Sequence, residues 1–282
     1  VGVVLALLAA GAYGAADFFG GVATRRSPVF AVTVISQLAG LLFLLTFLPF
    51  VPGHVSARAL EYGAAAGVCG GVGIALLYHA LSIGKMGVVS PITAVLAAAF
   101  PVVAGVLHGE HLRNWQLAGI GIALLAVVLI SMTSEPADNA AGRVLEFSTK
   151  GVREAIASGV ILGGFLILLA RSGTAAGLYP LVSARLASTV VLVALASIAR
   201  ASIKPAAGAL PWLAGIGVLD MAANALYVAA TYAGFLSIAA VLTSLYPAST
   251  VFLARILLGE RLSALQKAGV VLALAGVALI SV

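Results

Sequence analysis

The sequence predicts an all-α membrane protein of ten transmembrane helices, arranged as two inverted five-helix repeats. Three observations carry this. Of 282 residues, 62% are hydrophobic and 9% charged, against about 25% charged in a soluble domain. The apolar residues fall in long runs without period-two alternation, and lipid admits only backbones that satisfy their own hydrogen bonds, which here means helices. The second part of the chain also repeats the first.

The runs divide at short polar punctuation into stretches near the ~20 residues that a helix needs to cross a bilayer core. The first half reads 3–22, 29–50, 59–83, 86–107 and 114–132; the second reads 152–170, 177–199, 210–233, 236–258 and 263–281. Connections such as Gly84-Lys85 and Gly234-Phe235 are short enough to force antiparallel hairpins. The longest polar segment, 134–150, carries Glu135, Asp138, Arg143 and Glu146 and is the predicted linker between units 1–133 and 151–282.

A shift of 150 lays 75–132 on 225–282 without a gap. Leu107, Gly109, Glu110, Leu112, Gln116, Ala118 and Gly119 fall on Leu257, Gly259, Glu260, Leu262, Gln266, Ala268 and Gly269. Leu129-Ile130-Ser131 falls on Leu279-Ile280-Ser281. Earlier helices match more weakly, with Val34, Gln37 and Leu38 facing Val182, Arg185 and Leu186. Five crossings is an odd number, so the second half enters the bilayer from the opposite side. Inverted repeats of this kind place a substrate site near the midplane between halves.

The formal charge is +6, but the basic residues sit singly in short loops and form no nucleic-acid patch. Arg25, Arg26, Lys85, Arg143, Lys150, Arg153, Arg200, Lys204, Arg255, Arg261 and Lys267 fall on one face; Arg58, Arg113 and Arg171 fall on the other. By the positive-inside rule the first face is cytoplasmic and both termini lie outside. No charged segment precedes the first apolar run, so a removed signal peptide is not expected. Cys69 is the single cysteine, which excludes a disulfide framework and a cysteine metal site; no metal and no cofactor is expected.

Charge at a helix centre costs about 2.5 to 3.5 kcal/mol on insertion scales and suggests a cavity or a partner. Asp17, Asp220 and Arg185 are the three cases. At about 1.5 Å per residue, both aspartates lie roughly 20 Å from the outer face and Arg185 about 12 Å, so the guanidinium could reach either carboxylate. The two aspartates are candidates for proton or ion coupling, and Arg185 for binding a substrate carboxylate. The alternative is a satisfied interhelical pair.

Tyr78 and His79, near the inner end of the third helix, are candidate substrate contacts, since imidazole titrates near neutrality. Tyr227 polarises the partner helix, Tyr13 and Tyr246 lie at mid-depth, and Asn224 shares a face with Asp220 at i, i+4. These suit an amphipathic lining, or interhelical packing with satisfied hydroxyls. Tyr62 and Tyr179 read as interfacial anchors. Gly67, Gly70, Gly71 and Gly73, and Gly159 with Gly163, predict close helix approach. Pro91, Pro101 and Pro247 predict kinks that could act as gates or hinges. Glu110 and Glu260 are expected to cap the helices that follow them.

With these features the chain resembles the drug/metabolite transporter superfamily, specifically its EamA-type permeases, over essentially its whole length. The marks are Gly109-Glu110-His111-Leu112 with Gln116 and Gly119, Gly259-Glu260-Arg261-Leu262 with Gln266 and Gly269, and the prolines of the fourth helices. The resemblance implies a secondary transporter of small metabolites in a bacterial inner membrane, with periplasmic termini and alternating access through a central cavity. Export of amino acids, including aromatic ones, is the activity it favours. Monomer and homodimer both stay open. The expected partners are a small-molecule substrate and the lipid bilayer, with no nucleic acid.

Rival readings are an intramembrane enzyme, a membrane scaffold and a channel. The sequence lacks Gly-x-Ser-x-Gly, His-Glu-x-x-His and Gly-x-x-x-x-Gly-Lys motifs, which argues against an enzyme and against ATP hydrolysis. No loop is long enough for the extramembrane domain a scaffold would need.

Overall fold

The computed structural model describes residues 1–24, 26–83, 86–131, 151–258 and 263–281, and the regular elements among them are helical. The first half holds α1 (Gly2–Thr24), α2 (Val29–Phe47), α3 (Ala57–Ile83), α4 (Met86–Leu107) and α5 (Asn114–Ser131). The second holds α6 (Val152–Ala170), α7 (Tyr179–Ile198), α8 (Leu210–Tyr232), α9 (Leu236–Thr243), α10 (Tyr246–Leu258) and α11 (Ala264–Ser281). Helices α1, α2, α3, α6, α7 and α8 are long and apolar enough to cross a bilayer, and shorter apolar helices fill the remaining spans. Leu42, Val103, Val190, Val271 and Leu274 stay more than half exposed on helix surfaces. Apolar exposure on that scale fits a lipid-facing surface, so the chain is a multi-pass membrane protein of ten spans.

The ninth span differs from the continuous helix expected over 236–258. It consists of α9 and α10, separated by a turn at Ser244 and Leu245. The cause is Pro247, whose ring in an unbroken helix would clash with the carbonyl of Thr243, four residues back. Placed instead in the first turn of α10, the proline lacks only an N–H that would have had no helical partner. The turn stays tightly bonded: the Leu245 N–H donates to Leu242 O at 3.3 Å and the Ala248 N–H to Leu245 O at 2.9 Å. Pro101, by contrast, lies buried inside a continuous α4.

Helices α5 and α11 show why the sequence motif repeats. A Cβ added at Gly119 would lie 2.9 Å from Gly276 O and against Leu279 and Ile280; one added at Gly269 would meet Leu129 and Ile130. The shift of 150 exchanges these two sets. The start of each helix therefore packs on the end of the other, as antiparallel copies related by a pseudo-two-fold axis must. The same exchange appears in hydroxyl bonds between helices. Thr93 donates to Ala155 O at 3.2 Å, and its repeat mate Thr243 donates to Ala6 O at 3.5 Å. Likewise α3 packs on α6 and α7, while its counterpart α8 packs on α1 and α2.

The glycines of α3 set how close α7 comes. Gly63, Gly67 and Gly71 lie four residues apart and face Pro180, Ala184 and Ser188, also four apart; added Cβ atoms at Gly63 and Gly67 would each lie 2.1 Å from the facing carbonyl oxygen. Backbones in membranes approach this closely only through such small-residue stripes. Gly70 and Gly73 face Phe165 and Leu162 of α6 instead.

Gln116 and Gln266 cap the last span of each half. Gln116 Oε1 accepts the Arg113 N–H at 3.0 Å, and Gln266 Oε1 accepts the Ser263 N–H at 3.0 Å, while Ser263 Oγ accepts the Gln266 N–H at 3.2 Å. The second set is a complete capping box. The α5 cap is thus Gln116 and not Glu110 as expected; Glu260 lies outside the described residues.

Candidate functional site

Between the halves lies a cavity of about 140 Å³, counted as the space open to the centres of water molecules, and like small-molecule sites it is mostly apolar with a few polar groups on its wall. The first half contributes Tyr13, Asp17, Gln37, Gly67, Gly70, Ile74, Leu77 and Ala97. From the second come Leu162, Phe165, Leu166, Leu181, Ala184, Arg185, Ser188, Asp220, Asn224, Thr243, Ser244 and Tyr246. The break between α9 and α10 therefore opens directly onto the chamber.

The polar side chains are ordered around Arg185. Its guanidinium is buried and donates through Nη1 to Gln37 Oε1 and through Nη2 to Asp220 Oδ2. A charge at this depth needs such partners, because solvation lost on burial is recovered only through well-made contacts. Asn224 Nδ2 donates to the Asp220 main-chain oxygen at 2.7 Å and to its carboxylate at 3.4 Å. Gln37 and Arg185 are the weak repeat mates of the sequence, and they meet across the pseudo-two-fold axis.

Three polar groups on the wall are left over. Asp17 has no ion pair among the described residues. The Tyr13 hydroxyl and Asn224 Oδ1 are buried without a hydrogen-bond partner. Orphaned buried polar atoms are rare because each costs about 1 to 3 kcal/mol. Here they line a cavity, where a ligand or water can supply the missing partner.

Of the residues singled out from sequence, Tyr13, Asp17, Arg185, Asp220, Asn224 and Tyr246 converge on this wall. Tyr227 does not line it; fully buried, it bonds α8 to α6 through its hydroxyl and Leu166 O at 3.2 Å. His79 is exposed and is not among the wall residues. The side chains of Tyr78 and Pro91 lie outside those described. Sequence reasoning did not single out Gln37, Ser188, Thr243 or Ser244 as wall residues. The signal for Gln37 was its repeat relation to Arg185.

Glu110 acts across the halves. Its Oε1 accepts the Leu236 N–H at 2.6 Å and its Oε2 the Ser237 N–H at 3.1 Å, so it caps α9, a helix with no side-chain cap of its own. Gly105 makes the room: a Cβ there would lie 2.3 Å from Glu110 Oε2. A carboxylate at a helix N-terminus also meets the positive end of the helix dipole. Glu110→Ala is expected to cost about 1 to 2 kcal/mol, read as a lowered Tm in detergent, with Glu110→Gln recovering part of it. An unchanged Tm in Glu110→Ala would remove the cap from the account.

Further ties close the same face. The His54 N–H donates to Ala175 O at 2.8 Å, Arg171 meets His108, and Tyr232 bonds Ser172 at 3.2 Å. These join the α2–α3, α4–α5 and α6–α7 connections to the end of α8, on the face that carries both termini. The cavity wall extends away from it to Ile74 and Leu77, in the far part of α3.

The sequence profile described as the EamA-like transporter family matches residues 1–132 and 150–282. An uncharacterized protein of Methanocaldococcus jannaschii is 26% identical over 133 residues, which is 47% of this chain and 97% of that protein. That relative is thus about as long as one half of this chain. A solved crystal structure superposes with a TM-score of 0.75 at 18% identity, covering 99% of this chain and 95% of the other; the two share a fold.

Proposed function

The chain belongs to the EamA-like transporter family, and from that premise we propose that it is a secondary carrier that exports amino-acid-sized metabolites, aromatic amino acids among them. The observation that carries the reading is a chamber walled by both halves, with charged and polar groups at bilayer depth and one face tied shut. A wall built from two inverted units exposes its ligand to one side or the other as the units rock. In this reading the protein resides in a bacterial inner membrane, units 1–133 and 151–282 are joined by a cytoplasmic linker, and the tied face is periplasmic.

The site residues take roles from their places. Tyr13, Asn224 and Tyr246 present polar tips to the ligand, and Arg185 with Asp220 fixes the charge pattern. Asp17 couples transport to protons, since a carboxylate without a counter-ion at this depth must take up either a proton or a cation. The turn before Pro247 is the hinge of the ninth span, while Pro101 contributes to α4 packing. His79 and Tyr78 stay candidates for the entrance at the inner end of α3.

Counterflow into liposomes tests the carrier. Saturable, exchange-stimulated flux of a radiolabelled amino acid is the expected result; unsaturable flux would mean a pore, and none would end the proposal. An imposed pH gradient should accelerate flux in the unaltered protein and have no effect in Asp17→Asn. A retained response in that variant would move coupling elsewhere.

A further inference from the structure

We infer that the chamber is sided: the ligand's apolar body lies on the α3–α6 wall against the Phe165 ring, and Gly70 with Phe165 sets the largest body accepted. The inference deepens the carrier reading, rests on it for the ligand's route, and leaves the charge of the ligand's head open.

The two sides are built by exchanged partners. Helix α1 packs on α8 and α10, and these three bring Tyr13, Asp17, Asp220, Asn224 and Tyr246 to the chamber. Helix α6 packs on α3 and α4, and the described wall residues from these three, Ile74 and Phe165 among them, carry no hydrogen-bonding side chain. The shift of 150 that relates the halves lays Gly70 on Asp220 and Ile74 on Asn224. Where α8 presents an acid and an amide, α3 presents bare backbone and an aliphatic chain. A polar head on that side would lose its solvation without a partner, whereas an apolar body gains by burial. Helix approach does not account for glycine at 70. Gly63, Gly67 and Gly71 admit the backbone of α7, but a Cβ added at Gly70 would lie 3.1 and 3.3 Å from Cδ2 and Cε2 of Phe165. The ring therefore rests against α3 where α3 has no side chain. Gly70 is itself on the wall, so a methyl there takes chamber space directly and crowds a ring on the same wall. Closely fitted apolar sites tell ligands apart by about 10- to 200-fold per methylene.

The test uses the full chain in liposomes and the series alanine, valine, leucine, phenylalanine and tryptophan, which share one head, so their ranking reads the body alone. In competition counterflow, Gly70→Ala should lower the largest accepted member relative to valine by about tenfold or more. Phe165→Ala should raise that member or admit the next larger one. Phe165→Leu, which keeps the wall apolar but shortens it, should act in the same sense and reads the limit if Gly70→Ala fails to fold. Gly71→Ala is the packing control: its Cβ would lie 3.2 Å from Ser188 O, off the wall, so Tm should fall while the ranking stays. An unchanged ranking in the folded Gly70 and Phe165 variants would overturn the inference, as would the same change of ranking in Gly71→Ala. Calorimetry of the series on the detergent-purified chain separates the two levels. Binding whose ranking shifts as stated, without flux, sinks the carrier and leaves the size limit standing. Saturable flux with a ranking that no wall variant moves keeps the carrier and overturns the limit, and neither binding nor flux of any member overturns both.

Discussion

Arg185→Met should abolish saturable flux and lower stability by about 3 kcal/mol, near the lower end of what removing one member of a buried pair costs. The substitution strips Gln37 Oε1 of its donor and leaves Asp220 Oδ2 only the 3.4 Å bond from Asn224 Nδ2. The lower end applies because the Asp220 side chain is 32% exposed to the chamber and is not sealed in protein. A second change separates stability from function. Adding Asp220→Leu removes the uncompensated carboxylate, so the double variant should regain much of the lost Tm while flux stays absent. Thermal unfolding in detergent and counterflow on the same preparations read the two quantities. If Arg185→Met carried substrate at the unaltered rate, the charged cluster would be packing alone.

Gly67→Val should prevent accumulation of folded protein. A Cβ at this position would lie 2.1 Å from the Ala184 carbonyl oxygen and 2.7 Å from its Cα, and a backbone cannot swing aside as a side-chain end can. Helices α3 and α7 would have to separate along the stripe that includes Gly63 and Gly71. Overpacking typically costs about 1 to 3 kcal/mol, and this contact is with main chain, so the cost should be at least about 3 kcal/mol. Gly121→Ala supplies the contrast, because an added Cβ there meets nothing within 4 Å. It should leave the protein unchanged or slightly more stable, by about 0.5 to 1 kcal/mol, as alanine is the better helix former. Size-exclusion profiles after extraction distinguish the two; a monodisperse Gly67→Val would mean that the close approach is not required.

Much of this architecture was legible before any coordinates. Apolar runs of bilayer length mark the spans, and the in-register Gly-Glu-x-Leu-x-x-x-Gln-x-Ala-Gly repeat marks the inversion, because the α5–α11 seam needs the same small residue in both copies. The break in the ninth span was not, since two hydroxyl side chains, Thr243 and Ser244, are tolerated inside a continuous membrane helix and Pro247 alone does not say whether a helix bends or restarts. Glu110 was misplaced for a related reason. Its partners are 126 and 127 residues away, in the other half, whereas a local reading can offer only the next helix. Depth and helix face found the six wall residues named early. They failed for Tyr227, which shares the stripe of Asp220 and Asn224 but stands a turn further along, where its hydroxyl meets Leu166 O.

The meeting of Gln37 with Arg185 bears on how such a molecule can arise. Were the two halves separate, identical polypeptides inserted head to tail, whatever occupied this spot would confront its own twin. Paired arginines would repel, and paired glutamines would leave nothing positive to hold an acid. Two halves free to differ let the twins diverge, one becoming the base and the other its neutral prop. The polarity of the chamber therefore belongs to non-identical halves, whereas the α5–α11 seam is one that a self-pairing ancestor could already have formed.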